Sequence, residues 1–94
     1  MIVKVKQTFP LREFTYTSQG EQKTGRAFAM VLVTADGYII AEAYDTLAED
    51  LARMSIDLNS IYIADILFTV GEYKTENNVV IRRTNARILS FKLF

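Results

Sequence analysis

The chain has 94 residues, half of them apolar, with 11 Lys plus Arg balancing 11 Asp plus Glu, and it contains no His, Cys or Trp and one Pro. That composition excludes a disulfide framework, a zinc knuckle, a thiol nucleophile and an imidazole base, and its few charges and many aliphatics are the reverse of a disordered chain. The zero net charge hides a pattern: residues 1–28 carry five bases against two acids, 29–65 one against seven, and 66–94 five against two. Basic ends around an acidic middle can give one positive face, which steers a charged ligand whatever the net charge.

In chain order the dominant hydrophobic period is two. Ile2 to Pro10 alternates Val3 and Val5 with Lys4 and Lys6 and reads as a half-exposed strand, which continues extended through Phe14 and Tyr16. Pro10 suits a strand end or a bulge. Ser18 to Gly25, polar with two glycines, reads as a long hairpin loop, and Arg26 to Thr34 as a second strand. The apolar run Ala27 to Val33 in that strand implies cover on both faces, by a core and by a second subunit. At seven residues it is far short of a membrane span, and no targeting segment precedes it, so a cytoplasmic protein without membrane contact is expected.

Ala35-Asp36-Gly37 carries the Asp-Gly signal of a tight turn. Tyr38 to Tyr44 then forms a third strand, with Ile39, Ala41 and Ala43 on one face and Tyr38, Ile40, Glu42 and Tyr44 on the other. A short helix follows, with Thr46 as N-cap, Glu49 as its capping-box partner and Leu47, Leu51 and Met54 as the buried stripe. Ile61 to Val70 and Val79 to Phe94 are the fourth and fifth strands, with Gly71 to Asn78 as the loop between them, and Tyr62 and Phe68 are assigned to the core.

Three strands, a short helix and two strands predict one all-β domain over residues 1–94, a five-stranded Greek-key OB-fold barrel with its helix between strands three and four. Folds of this kind bind oligonucleotides or oligosaccharides. Short motifs agree with this order. Tyr16-Thr17-Ser18-Gln19-Gly20 resembles the Tyr-Thr-x-x-Gly of the bacterial single-stranded DNA-binding protein family. Tyr44-Asp45-Thr46-Leu47-Ala48-Glu49 resembles that family's Phe-Gly-Lys-Leu-Ala-Glu, and Pro10 its Asp-Pro. Tyr38 falls where the family has a Trp, and Tyr73 where it often has another aromatic.

The resemblance implies sequence-tolerant binding of single-stranded DNA, or of RNA, in replication, recombination or repair, by a homodimer or homotetramer without cofactor, metal or catalytic residues. Such binding stacks bases on aromatic rings in a positive groove. The candidate stacking residues are Tyr38, Tyr44 and Tyr73, the first two about 20 Å apart on one strand face. Candidate phosphate contacts are Lys4, Lys6, Arg12, Lys23, Arg26, Lys74, Arg82, Arg83 and Arg87. A Tyr on a strand also serves as plain cover for a neighbouring strand or an oligomer contact, and a single basic residue as ordinary solvated surface.

The chain departs from the family's pattern at four points. It has no Trp, Ile39-Ile40 follow Tyr38 with Glu42 on the Tyr face, the turn at Ala35-Asp36-Gly37 is short, and Phe91-Lys92-Leu93-Phe94 closes the sequence without an acidic tip. These features describe a divergent, minimal member, of the phage or mobile-element kind, that does not recruit repair enzymes through an acidic tail. The alternative is a protein-binding or oligomerising OB module, of primosomal or structural type, with little affinity for nucleic acid. An enzyme would have to rely on Asp36, Glu42, Asp45, Glu49 and Asp50 as magnesium ligands, and Asp45 and Glu49 have a simpler role at the helix N-terminus.

Overall fold

Alternating apolar residues make most of this chain strand. The computed structural model describes residues 1–94 and contains six strands and one helix: β1 (Ile2–Thr8), β2 (Arg12–Ser18), β3 (Glu21–Thr34), β4 (Gly37–Tyr44), α1 (Asp45–Arg53), β5 (Tyr62–Lys74) and β6 (Val80–Leu93). The expected first strand is divided in two at Phe9–Leu11, because Pro10 has no N–H to give the ladder. Its two halves pair with consecutive stretches of the same long β3, Lys4 opposite Val33 and Arg12 opposite Ala27.

All six strands belong to one sheet. From β1 the pairings run through β5, β6, β4 and β3, and the β1–β3 ladder returns to β1; β2 lies beyond β3. Every pairing is antiparallel except β4–β6, which is parallel and joins at Glu42 and Arg87 alone. Irregularities in β1 between Val5 and Gln7, and in β5–β6 at Asp65/Ile66, bend strands that pair on two sides.

Two loops are shorter than the sequence predicts. Ser18 to Gly25 is not a loop: Gln19 (φ 53) and Gly20 (φ 78) make a two-residue turn, and Glu21 to Gly25 continue the ladder opposite Phe14 to Ser18. Two successive positive φ angles give the turn whose twist matches a hairpin's. Likewise Gly71 to Lys74 stay in β5, and the connection to β6 narrows to residues 75–79. It is held by Thr75 N–H donating to the Val79 carbonyl at 2.9 Å and Asn78 N–H to the Thr75 carbonyl at 3.0 Å.

The core gathers Val3, Val5, Phe28, Met30, Leu32, Ala41, Ala43, Ala48, Leu51, Tyr62, Ala64 and Ile88. Tyr62 is 2% exposed, stacks on Phe91 at 4.7 Å and accepts a hydrogen bond from the Asp57 N–H through its hydroxyl. Phe68, also expected inside, is 48% exposed on the outer half of the β5–β6 hairpin. That hairpin extends beyond the body of the sheet and makes the molecule elongated, 44 × 31 × 19 Å.

The helix packs through Leu47, Ala48 and Leu51, whereas Met54 lies past its end and is exposed. Thr46 does not cap it: Tyr44 is the N-cap and no side chain closes that end. Glu49 instead accepts a hydrogen bond from Arg26 at 2.7 Å. No helix is long and apolar enough to cross a membrane.

Candidate nucleic-acid interface

Register decides which side chains meet. Residues directly opposite in a ladder project to the same face. Tyr44 lies opposite Ala27, Ala27 opposite Arg12, Phe14 opposite Gly25 and Tyr16 opposite Lys23, so these residues share the face away from the core. The ring of Phe14 lies 6.0 Å from that of Tyr16 and meets Tyr44 edge-on at 6.2 Å. From β6, the Arg87 guanidinium sits over the Tyr44 ring at 5.2 Å. These four side chains and Asp45 line an open pocket of ≈ 270 Å³.

Gly25 makes room for this cluster. A Cβ there would come within 2.5 Å of the Phe14 ring, so the ring rests on bare backbone. Gly25→Ala is expected to push Phe14 off its seat and weaken oligonucleotide binding severalfold, with the melting temperature nearly unchanged. Parallel titration and thermal melts check this.

The face continues past Tyr44. Ile40, Glu42, Tyr44, Arg83 and Asn85 line an adjoining groove of ≈ 300 Å³ between β4 and β6. At the far end of β4, Tyr38 is 65% exposed and the Lys6 ammonium lies 5.6 Å from its ring. Each of these cations adds positive charge beside an aromatic ring, the combination that single-strand grooves use.

Glu42, the carboxylate that β4 adds to this face, is held by Arg12, whose Nη2 donates to Oε2 at 2.6 Å. The pair is solvent-accessible and adds little stability, but it offsets a charge that would repel phosphate. Glu42→Gln frees Arg12 and is expected to tighten single-strand binding a few-fold. The slope of log affinity against log salt should steepen by about one, since one more phosphate gains a cation. The Tyr44 phenol is pushed above its ordinary 10.0, first by burial and then by the Glu42 carboxylate.

The remaining candidates are dispersed. Arg26 turns to the opposite face, where it pairs with Glu49 at 2.7 Å and Glu13 at 3.3 Å. Arg82 pairs with Glu72 at 3.5 Å. Along the β5–β6 hairpin, Tyr73 shares a face with Arg83, while Lys74 and Arg82 lie on the other. Lys4 and Lys23 are exposed and form no ion pair, Lys4 opposite Val33 and Lys23 opposite Tyr16. The basic first and last thirds of the sequence thus both reach the face around Tyr44.

Phe14 and Tyr16 are absent from the residues expected to stack. Part of their signal was present, because Arg12, Phe14 and Tyr16 alternate on one strand face; the seat at Gly25 follows only from the β2–β3 register. A larger pocket of ≈ 550 Å³ lies elsewhere, between Phe9-Pro10-Leu11 and Leu51, Met54 and Ile56, and no basic residue lines it. Of the five carboxylates considered as metal ligands, Glu42 and Glu49 are in ion pairs with arginines, and no three acidic residues come together. No protein-family model, no curated protein and no solved structure matches the chain.

Proposed function

We propose that the chain binds single-stranded DNA without sequence specificity, by stacking bases on Tyr44 and its neighbours and pairing phosphates with the arginines and lysines around them. The gathering of Phe14, Tyr16, Tyr44 and Arg87 at one pocket, from three strands far apart in sequence, carries this reading. Aromatic rings with a guanidinium beside them, on an open groove rather than an enclosed cavity, suit a flexible strand that presents one base after another. Replication, recombination and repair are the processes that expose such strands.

The pairing order supports an OB barrel as the scaffold. Five strands pair in a ring, β4 and β6 run parallel, and the helix follows β4, the strand that bears Tyr44. In such folds the ligand lies across strands two and three of the barrel; with the first strand divided, these are β3 and β4. The resemblance of Tyr16–Gly20 and Tyr44–Glu49 to the bacterial single-stranded DNA-binding family agrees.

A second reading accompanies the first. Leu67, Phe68, Val70, Tyr73 and Val79 leave much of the outer hairpin apolar and exposed, Val70 by 66%. Leu67 and Tyr73 project to one face of the hairpin and Phe68 and Val70 to the other. Exposed apolar surface is a common site of association, and assembly of copies into a homodimer or homotetramer would cover it. Light scattering should then give a multiple of the 10.7 kDa chain mass.

Titration with oligo-dT, followed by tyrosine fluorescence at two salt concentrations, tests the binding function. Quenching, weaker binding at higher salt and preference over duplex are expected. Absence of binding at low salt would refute single-strand binding and leave an oligomerising or protein-binding module.

A further inference from the structure

The pocket beside Tyr44 holds two opposite charges without an ion-pair partner, one of them, Arg87, lying against the Tyr44 ring. Asp45 and Arg87 both line it, yet they form no ion pair with each other, and neither takes part in a side-chain hydrogen bond or ion pair elsewhere. Glu42, by contrast, is held by Arg12. Asp45 has a φ of 56, in the left-handed region that Asp and Asn tolerate better than other side chains, where the chain turns from β4 into α1.

An unpaired carboxylate is a poor neighbour for a phosphate and a good acceptor for an amino group. A guanidinium supplies donors to ring nitrogens and carbonyl oxygens. A pocket walled by aromatic rings with one of each presents an acceptor and a donor to the edge of whatever stacks there. At ≈ 270 Å³ it admits one nucleobase.

We propose that this pocket reads a single base, favouring one that carries an exocyclic amino group, cytosine foremost, over thymine or uracil. Asp45 accepts from the cytosine amino group, a pairing known for carboxylates at base edges. Arg87 donates to the neighbouring ring nitrogen or carbonyl oxygen. Thymine offers a carbonyl where cytosine has its amino group, and two acceptors then face each other. The inference rests on the single-strand reading above and adds a local base preference to otherwise sequence-tolerant binding.

The test compares oligo-dC with oligo-dT of equal length, at one salt concentration, on the wild-type chain and on Asp45→Asn and Asp45→Gly. Both variants accept the positive φ; Gly deletes the acceptor, and Asn can rotate its amide to donate to thymine. Removing the charge tightens binding to both oligonucleotides alike, so the ratio of Kd for dT to Kd for dC isolates base reading. That ratio should be larger for the wild type than for either variant by about fivefold or more, the lower end of what one directed base contact supplies. The same ratio in all three proteins overturns base reading and leaves single-strand binding intact. Failure of the wild type to bind either oligonucleotide overturns both.

Discussion

Replacing Tyr44 by Ala should weaken oligo-dT binding by about 1 to 3 kcal/mol, the contribution of one stacked base. That is roughly five- to 150-fold in Kd, and Tyr44→Phe should retain most of the affinity. The effect is expected to be the largest of any single change on this face, because Tyr44 is where its parts meet. It borders the ≈ 270 Å³ pocket, lines the groove that runs on to Arg83, packs edge-on against Phe14 at 6.2 Å and lies under Arg87 at 5.2 Å. Since Tyr44 is half-buried and also ends β4, the Ala variant is expected to lose some stability as well. Binding should therefore be measured well below its melting temperature. A variant that melts much earlier yet binds with unchanged affinity would make Tyr44 a structural residue only.

Ile88→Ala should do the opposite, costing about 2 to 5 kcal/mol of folding stability while the folded fraction binds as before. Ile88 is 1% exposed in the central cluster and lies opposite Ile66 on β5. The residue before it, Arg87, faces Tyr44, so β6 supplies the core with one side chain and the candidate interface with the next. In a domain of this size each kcal/mol lowers the melting temperature by about 4 to 8 °C, and the predicted loss is a large part of a typical total of about 5 to 15 kcal/mol. Thermal and denaturant unfolding check it. A small shift would mean that β6 is dispensable to the core, although Ile88 lies within the central cluster and Ala86 and Phe91 pack against it.

The alternation in Tyr38 to Tyr44 was legible because one side of β4 is buried and the other is not, and Ala41 and Ala43 lie inside as the pattern requires. The helix could be placed for a similar reason. Glu21 to Thr24, in contrast, are polar and exposed on both faces, so hydropathy does not distinguish a strand there from a loop. Only the positive φ angles at Gln19 and Gly20 place the turn. The outer β5–β6 hairpin misled in the other direction, since an apolar Phe68 suggests a core that does not extend that far. At the site, Tyr44 and Arg87 could be singled out as an aromatic and a cation in suitable strands. That Arg26 would be engaged by Glu13 and Glu49, or that Phe14 would rest on Gly25, depends on pairings between distant segments that local sequence does not carry.

The same pairings bring the separate basic thirds of the chain to one face. Lys6, Arg12 and Lys23 come from the first, Arg83 and Arg87 from the last, and the acidic middle contributes Glu42, offset by Arg12, and Asp45 in the pocket with Arg87. A neutral chain can in this way present a local groove suited to phosphate.

Mapping amide chemical shifts on addition of oligo-dT tests the central claim most directly, because it reports where the strand lies as well as whether it binds. The largest changes should fall on Phe14, Tyr16, Gly25, Tyr44 and Arg87, with smaller ones toward Tyr38 and Arg83. Changes confined to Phe9–Leu11 and Leu51–Ile56, around the ≈ 550 Å³ pocket on the other side of the molecule, or no changes at all, would contradict it.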